Sequence, residues 1–145
     1  RCGQLSPARS GDLYREAGAK AGHAPEMLKV SINSHGFIAE DSTDAADTYF
    51  PPYAEMFGRI GRERGWPPVT KERFMAEVQH GALYVGSPET VARKIARTVR
   101  TLGVQRFDMK YSTGPMPHAD LMSCIRLYGE KVIPMVRDML ADKAA

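Results

Sequence analysis

The segment Ala82-Leu83-Tyr84-Val85-Gly86-Ser87-Pro88-Glu89-Thr90-Val91 constrains the fold more than any other. A short apolar run from Ala82 to Val85 reads as a strand, and a helix start follows at once. Ser87 carries the side-chain oxygen that caps a helix, Pro88 suits the first helical position, and Glu89 favours the positive helix end. Val91, Ile95, Val99 and Leu102 recur at helical spacing, and Gly103 marks the stop. Gln105 to Ser112 is the next strand, with Phe107, Met109 and Tyr111 on one face and Arg106, Asp108, Lys110 and Ser112 on the other. Strand, helix, strand in this order is a β–α–β unit, and it requires a parallel sheet covered by its crossover helix.

Upstream, Lys29 to Ala39 reads as another strand. Val30, Ile32, Ser34, Gly36 and Ile38 share one face, and Ser31, Asn33, His35, Phe37 and Ala39 share the other. The second face is polar yet uncharged, the pattern of a barrel strand with helices outside and a site inside. Asp12 to Gly22 reads as a helix capped by Asp12. Ser42 is the expected cap of a second helix, which Pro51-Pro52 interrupts and Tyr53 to Arg64 resumes, with Tyr53, Met56, Phe57 and Ile60 as its apolar face. Gly65-Trp66-Pro67-Pro68 is a loop that could cover a barrel mouth, and Thr70 caps a helix to about Gln79. Pro117 opens the last helix, with Leu121, Ile125, Tyr128 and Val132 as its stripe, and Pro134 should kink or end it. The chain divides into an irregular segment 1–11 and one unit, 12–145. Two good strands and one short one leave open sheet edges, so the chain reads as part of a larger α/β sheet or barrel. If it folds alone, it is expected to form a homo-oligomer.

Bulk properties narrow the function. At 145 residues the chain has the size of one domain. No apolar run approaches the ~20 residues needed to span a bilayer, and residues 1–11 hold no signal-like apolar core. Cys2 and Cys124 are too few and too far apart for a disulfide scaffold, which fits a reducing cytoplasm. The net charge of +3 and pI near 9.0 raise the idea of nucleic acid. However, Arg93, Lys94, Arg97 and Arg100 read as a solvated helix face, and no recognition motif is present. His23, His80 and His118 are scattered without metal-ligand spacing, so no metal is expected. There is no Gly-x-Gly-x-x-Gly, no P-loop and no nucleophile elbow.

Five ordered segments carry a family resemblance: Ile32-Asn33-Ser34-His35-Gly36-Phe37-Ile38-Ala39, Val85-Gly86-Ser87-Pro88-Glu89-Thr90-Val91-Ala92-Arg93-Lys94-Ile95, Leu102-Gly103-Val104-Gln105-Arg106-Phe107, Pro117-His118, and Val132-Ile133-Pro134. From about Asp12 to Arg137 the chain resembles the C-terminal portion of bacterial luciferase-like flavin-dependent monooxygenases. The resemblance implies an α/β fold: the C-terminal part of a (β/α)8 TIM-type barrel with a helical insertion, incomplete as a barrel. It implies a monooxygenase that uses reduced FMN and oxygen on a small organic substrate, with a flavin reductase as partner. A deazaflavin is the alternative cofactor. The flavin would carry the chemistry and the protein would supply orientation, dryness and hydrogen bonds.

Within that frame His35 is the candidate catalytic residue. It lies on the polar face near the C-terminal half of its strand, where barrel active sites occur, and its imidazole can donate a hydrogen bond or act as a base near neutrality. A structural histidine in a polar core layer is the alternative. Asn33 is its expected neighbour in a hydrogen-bonded network and a candidate cofactor ligand. Lys110 and Ser112 are the others, at the end of the last strand, with Lys110 placed to meet a flavin phosphate or an anionic substrate. Another carboxylate pairing with Lys110 is the plainer reading, because Asp108 lies at next-but-one spacing on a flat strand. A competing reading of the whole chain is a truncated, non-catalytic relative that oligomerises.

Overall fold

The computed structural model describes residues 7–141. Helix α1 (Pro7–Lys20) comes first. The helix is already formed upstream of Asp12. Asp12 is therefore interior and meets Arg15 at 3.6 Å instead of capping. Residues 8–11, expected to be irregular, are helical as well; Cys2 lies outside the described residues.

Three parallel strands follow: β1 (Ser31–Ile38), β2 (Tyr84–Gly86) and β3 (Arg106–Lys110). Their order is β2-β1-β3. Residues 31–35 of β1 pair with 106–110 of β3, and residues 36–38 pair with 84–86 of β2. Neighbouring strands of a closed barrel follow in chain order, whereas here β1 is central. β2 reaches only the last residues of β1, and β3 pairs with the residues before them. Ala82 and Leu83, expected in that strand, satisfy their N–H groups elsewhere, on the Glu77 carboxylate at 3.2 Å and the Glu77 carbonyl at 3.3 Å. The Ala82 carbonyl accepts from the Ser34 hydroxyl.

Between β1 and β2 lie α2 (Ser42–Arg64) and α3 (Lys71–Gln79). The cap of α2 is Asp41 and not Ser42: its carboxylate accepts from Thr43 N–H at 2.7 Å and Asp44 N–H at 3.3 Å. A carboxylate is the stronger acceptor at a positive helix end. Ser42 instead accepts the Ser87 N–H at 2.9 Å, tying α2 to the turn after β2. The pair Pro51-Pro52 does not interrupt α2. Tyr49, Tyr53 and Phe57, one turn apart, join Phe37 and Phe74 in an aromatic cluster, and this packing outweighs the lost backbone bonds. Thr70 caps α3 as expected.

Helix α4 (Pro88–Leu102) is capped by Ser87 and buries Val91, Ala92, Ile95 and Ala96. The basic residues of this helix are not all solvated. Lys94 is half-buried, and its ammonium donates to the carbonyls of Val78 at 2.7 Å, Leu83 at 2.8 Å and Glu77 at 3.3 Å. Carbonyls at the end of α3 need donors, and Lys94 supplies them. Arg100 likewise bonds the Met139 carbonyl.

After β3 come α5 (His118–Leu127), a π turn (Tyr128–Val132) and α6 (Ile133–Ala141). Pro134 neither ends nor visibly breaks this run. The preceding turn widens, with Ile133 N–H reaching the Tyr128 carbonyl, which accommodates a residue lacking its own donor. The core is a cluster of Phe37, Ile38, Tyr49, Phe74, Val85, Val91, Ile95, Leu127 and Val132 with their neighbours. Among the described residues no helix is long and apolar enough to cross a membrane.

Candidate functional site

The site grows from one register pair. His35 on β1 lies beside Lys110 on β3, and Asn33 lies beside Asp108 in the same way. Residues at alternate positions share a face, so His35, Asn33, Lys110 and Asp108 belong to one polar surface. At its upper end Phe37 stacks on Tyr49 of α2, with centroids 5.4 Å apart and planes 8° from parallel. The α2 helix therefore covers the top of this face, while Asn33 and Lys110 remain exposed.

His35 is held between these regimes. Its ring meets Phe57 edge-on at 5.3 Å and Tyr53 at 6.4 Å. Its Nδ1 is buried and has no hydrogen-bond partner among the described residues. Burial lowers its pKa from the ordinary value, and Lys110 lowers it further. The ring is thus neutral near pH 7 and offers one donor and one acceptor.

Sequence and structure part company at three places here. No hydrogen bond joins Asn33 to His35 among the described residues; they are two positions apart on one strand, and their side chains stand side by side. Asp108 does form an ion pair at next-but-one spacing, with Arg106 at 2.8 Å, because the long guanidinium arm folds along the strand. Lys110 then has no ion pair among the described residues. Ser112 is beyond β3, in the loop, and outside the register pairs. The chain leaves the sheet there to deliver Thr113 to the core, where its hydroxyl meets the Tyr49 hydroxyl at 2.5 Å.

Next to His35, across Tyr53 and Phe57, is a cavity of about 360 Å³ lined by Tyr53, Phe57, Trp66, Pro67, Val69, Arg73 and Glu77. The loop after α2 is set by Gly65 in the left-handed region at φ 66°, followed by Trp66 N–H bonding the Gly61 carbonyl at 2.9 Å. The Arg64 guanidinium lies over the Trp66 ring at 5.2 Å. In the sequence these aromatics read as the apolar face of a helix and a loop. The expected break at Pro51-Pro52 hid that Tyr49, Tyr53 and Phe57 form one continuous stripe. Burial first, then Glu77, raises the Tyr53 pKa, so its hydroxyl stays a donor.

The histidine makes a pH prediction. The unfolded chain titrates His35 near the ordinary value of about 6.5, and the folded chain lower. Between these values the unfolded state binds more protons, so His35 contributes stability fully above about 6.5 that is lost as pH falls towards the folded pKa. Thermal melts of the chain and of His35→Gln across this range should show a smaller acid loss in the variant. An equal loss in both would assign the titration to another group.

The sequence profile of the luciferase-like monooxygenase family matches residues 7–106. A comparison with curated protein sequences gives no match. Among solved structures, monooxygenase RslO1 from Streptomyces bottropensis aligns with a TM-score of 0.71 at 22% identity, covering 88% of this chain and 37% of that one. The oxygenating constituent of 3,6-diketocamphane monooxygenase from Pseudomonas putida, a type II Baeyer-Villiger monooxygenase in complex with FMN, aligns with a TM-score of 0.68 at 20% identity, covering 90% of this chain and 40% of that one. At these identities the likeness is one of fold. The architecture is that of the C-terminal part of a (β/α)8 barrel with a helical insertion, incomplete as a barrel. The chain spans 37% and 40% of the lengths of these two structures.

Proposed function

This chain belongs to the luciferase-like monooxygenase family, and from that membership we propose that it forms part of the flavin site of an oxygenase. The observation that carries the reading is the buried Nδ1 of His35, without a hydrogen-bond partner among the described residues, beside the Lys110 cation, without an ion pair among them, on an open polar face. Such a face fits a flavin, which needs hydrogen-bond partners for its ring and positive charge for its phosphate. Asn33, Lys110 and Ser112 are the proposed cofactor-binding residues, and His35 is the proposed catalytic residue.

When bound, reduced FMN supplies two electrons to oxygen, so that one oxygen atom enters a small organic substrate and the other leaves as water. The residues do the rest. Lys110 anchors negative charge at the end of β3. His35, kept neutral by burial, holds or passes a proton at a ring nitrogen. Tyr53 and Phe57 shield the imidazole from water on the α2 side. A partner reductase would supply reduced flavin, and a deazaflavin would fit the same face. The substrate and the reductase belong to the whole protein's activity. The open sheet edges favour a second reading, a non-catalytic relative that associates with copies of itself.

Lys110 provides the test. FMN and riboflavin differ by the phosphate, so the chain should bind FMN about tenfold more tightly, and Lys110→Gln should erase that preference with little effect on riboflavin. Flavin fluorescence on titration with each protein measures both affinities. An unchanged FMN preference in the variant would place the phosphate away from β3 and remove Lys110 from the site.

A further inference from the structure

The cavity on the far side of Tyr53 and Phe57 has a chemistry of its own. Its walls are the rings of Tyr53, Phe57 and Trp66 with Pro67 and Val69, and its charged groups are Arg73 and Glu77. Tyr53 and Phe57 are tilted against each other at 4.4 Å, and Trp66 comes from the following loop, so aromatic surface bounds the space from two elements. At about 360 Å³ it lies near the small end of ligand sites, the size for one or two rings.

The two charges are not equivalent. The Glu77 carboxylate is already used: it accepts the Ala82 N–H at 3.2 Å and lies within electrostatic reach of Lys94. Arg73 caps nothing with its side chain and has no ion pair among the described residues, although it lines the cavity. The net offer is an aromatic-lined site with one fork-shaped cation that has no ion pair among the described residues. A guanidinium is suited to two parallel bonds from a carboxylate.

We infer that this chamber binds a planar aromatic carboxylate, its ring among Tyr53, Phe57 and Trp66 and its carboxylate on Arg73. Calling that ligand the substrate rests on the oxygenase reading, in which His35 stands just across the Tyr53–Phe57 wall; the binding itself needs no flavin.

Trp66 is the single tryptophan of the chain and is a built-in reporter. The chain is titrated with 4-tert-butylbenzoate and with the neutral 4-tert-butylbenzamide, following Trp66 emission. The acid should shift the emission saturably and bind about tenfold more tightly than the amide. Arg73 is exposed on α3, so Arg73→Gln should keep its circular dichroism spectrum. In that variant acid and amide should bind alike. Equal binding of acid and amide to the unaltered chain, no saturable shift with either, or a preference that survives Arg73→Gln would each overturn the inference. Failure of FMN to bind alongside a retained acid preference removes the flavin reading alone. FMN binding without any Trp66 response removes this inference alone.

Discussion

Gly36→Ala should destabilise the chain by about 3 kcal/mol, the upper end of the usual cost of overpacking. The position is at the crossing of the three strands. A Cβ built there would lie 2.5 Å from the Tyr84 carbonyl oxygen, 2.8 Å from the Met109 Sδ and 2.9 Å from the Met109 Cγ. Met109 can swing aside. The Tyr84 oxygen cannot, because it is backbone of β2 and Gly36 is its register partner. Relief therefore has to come from moving β2 away from β1, and β2 is only Tyr84–Gly86. That movement would also disturb the Ser87 cap of α4 and its tie to Ser42. Urea unfolding followed by circular dichroism measures the loss. A cost under about 1 kcal/mol would mean that β1 and β2 are not packed this closely.

The second large effect is at Tyr49, which is 0% exposed. Its ring stacks on Phe37 and contacts Tyr53 at 5.9 Å and Phe74 at 6.5 Å, and its hydroxyl meets Thr113. Tyr49→Ala should cost about 4 kcal/mol, as removal of a buried aromatic does. Tyr49→Phe keeps the stack and leaves the Thr113 hydroxyl buried without its partner, so it should cost about 1–2 kcal/mol. The same unfolding assay separates the two contributions. If Tyr49→Phe costs as much as Tyr49→Ala, the hydroxyl pair and not the stack holds α2 on the sheet. If neither variant loses stability, α2 does not pack on the face that carries His35.

The β–α–β unit was legible because its signals are local: Ser87, Pro88 and Gly103 bound a helix whose apolar stripe needs no tertiary information. The central strand was legible for the same reason, from the alternation between Ile32 and Ile38. Errors arose where a contact distant in sequence overrode a local preference. Pro51-Pro52 should stop a helix, yet Phe37 and Phe74 grip Tyr49 and Tyr53, and α2 continues. Ser112 should extend β3, yet Thr113 is drawn off by Tyr49. Lys94 reads as solvated, yet α3 ends in carbonyls that need it. The candidate site divides in the same manner. Both His35 and Lys110 were legible as polar-face positions, but their pairing is a matter of strand register between β1 and β3, which the faces of each strand do not give. The aromatic chamber comes from α2, a loop and α3 folding together, and no periodicity in the sequence encodes that meeting.

If the proposed function holds, this partial barrel retains a surface that recognises flavin. The most direct measurement is titration of FMN with the 145-residue chain, following flavin fluorescence, with light scattering on the same samples for mass. Saturable quenching at a defined oligomeric mass is expected. Fluorescence that stays unquenched, or that changes only in proportion to added protein, would contradict the proposed function and leave the polar face of β1 and β3 as structure without a flavin site.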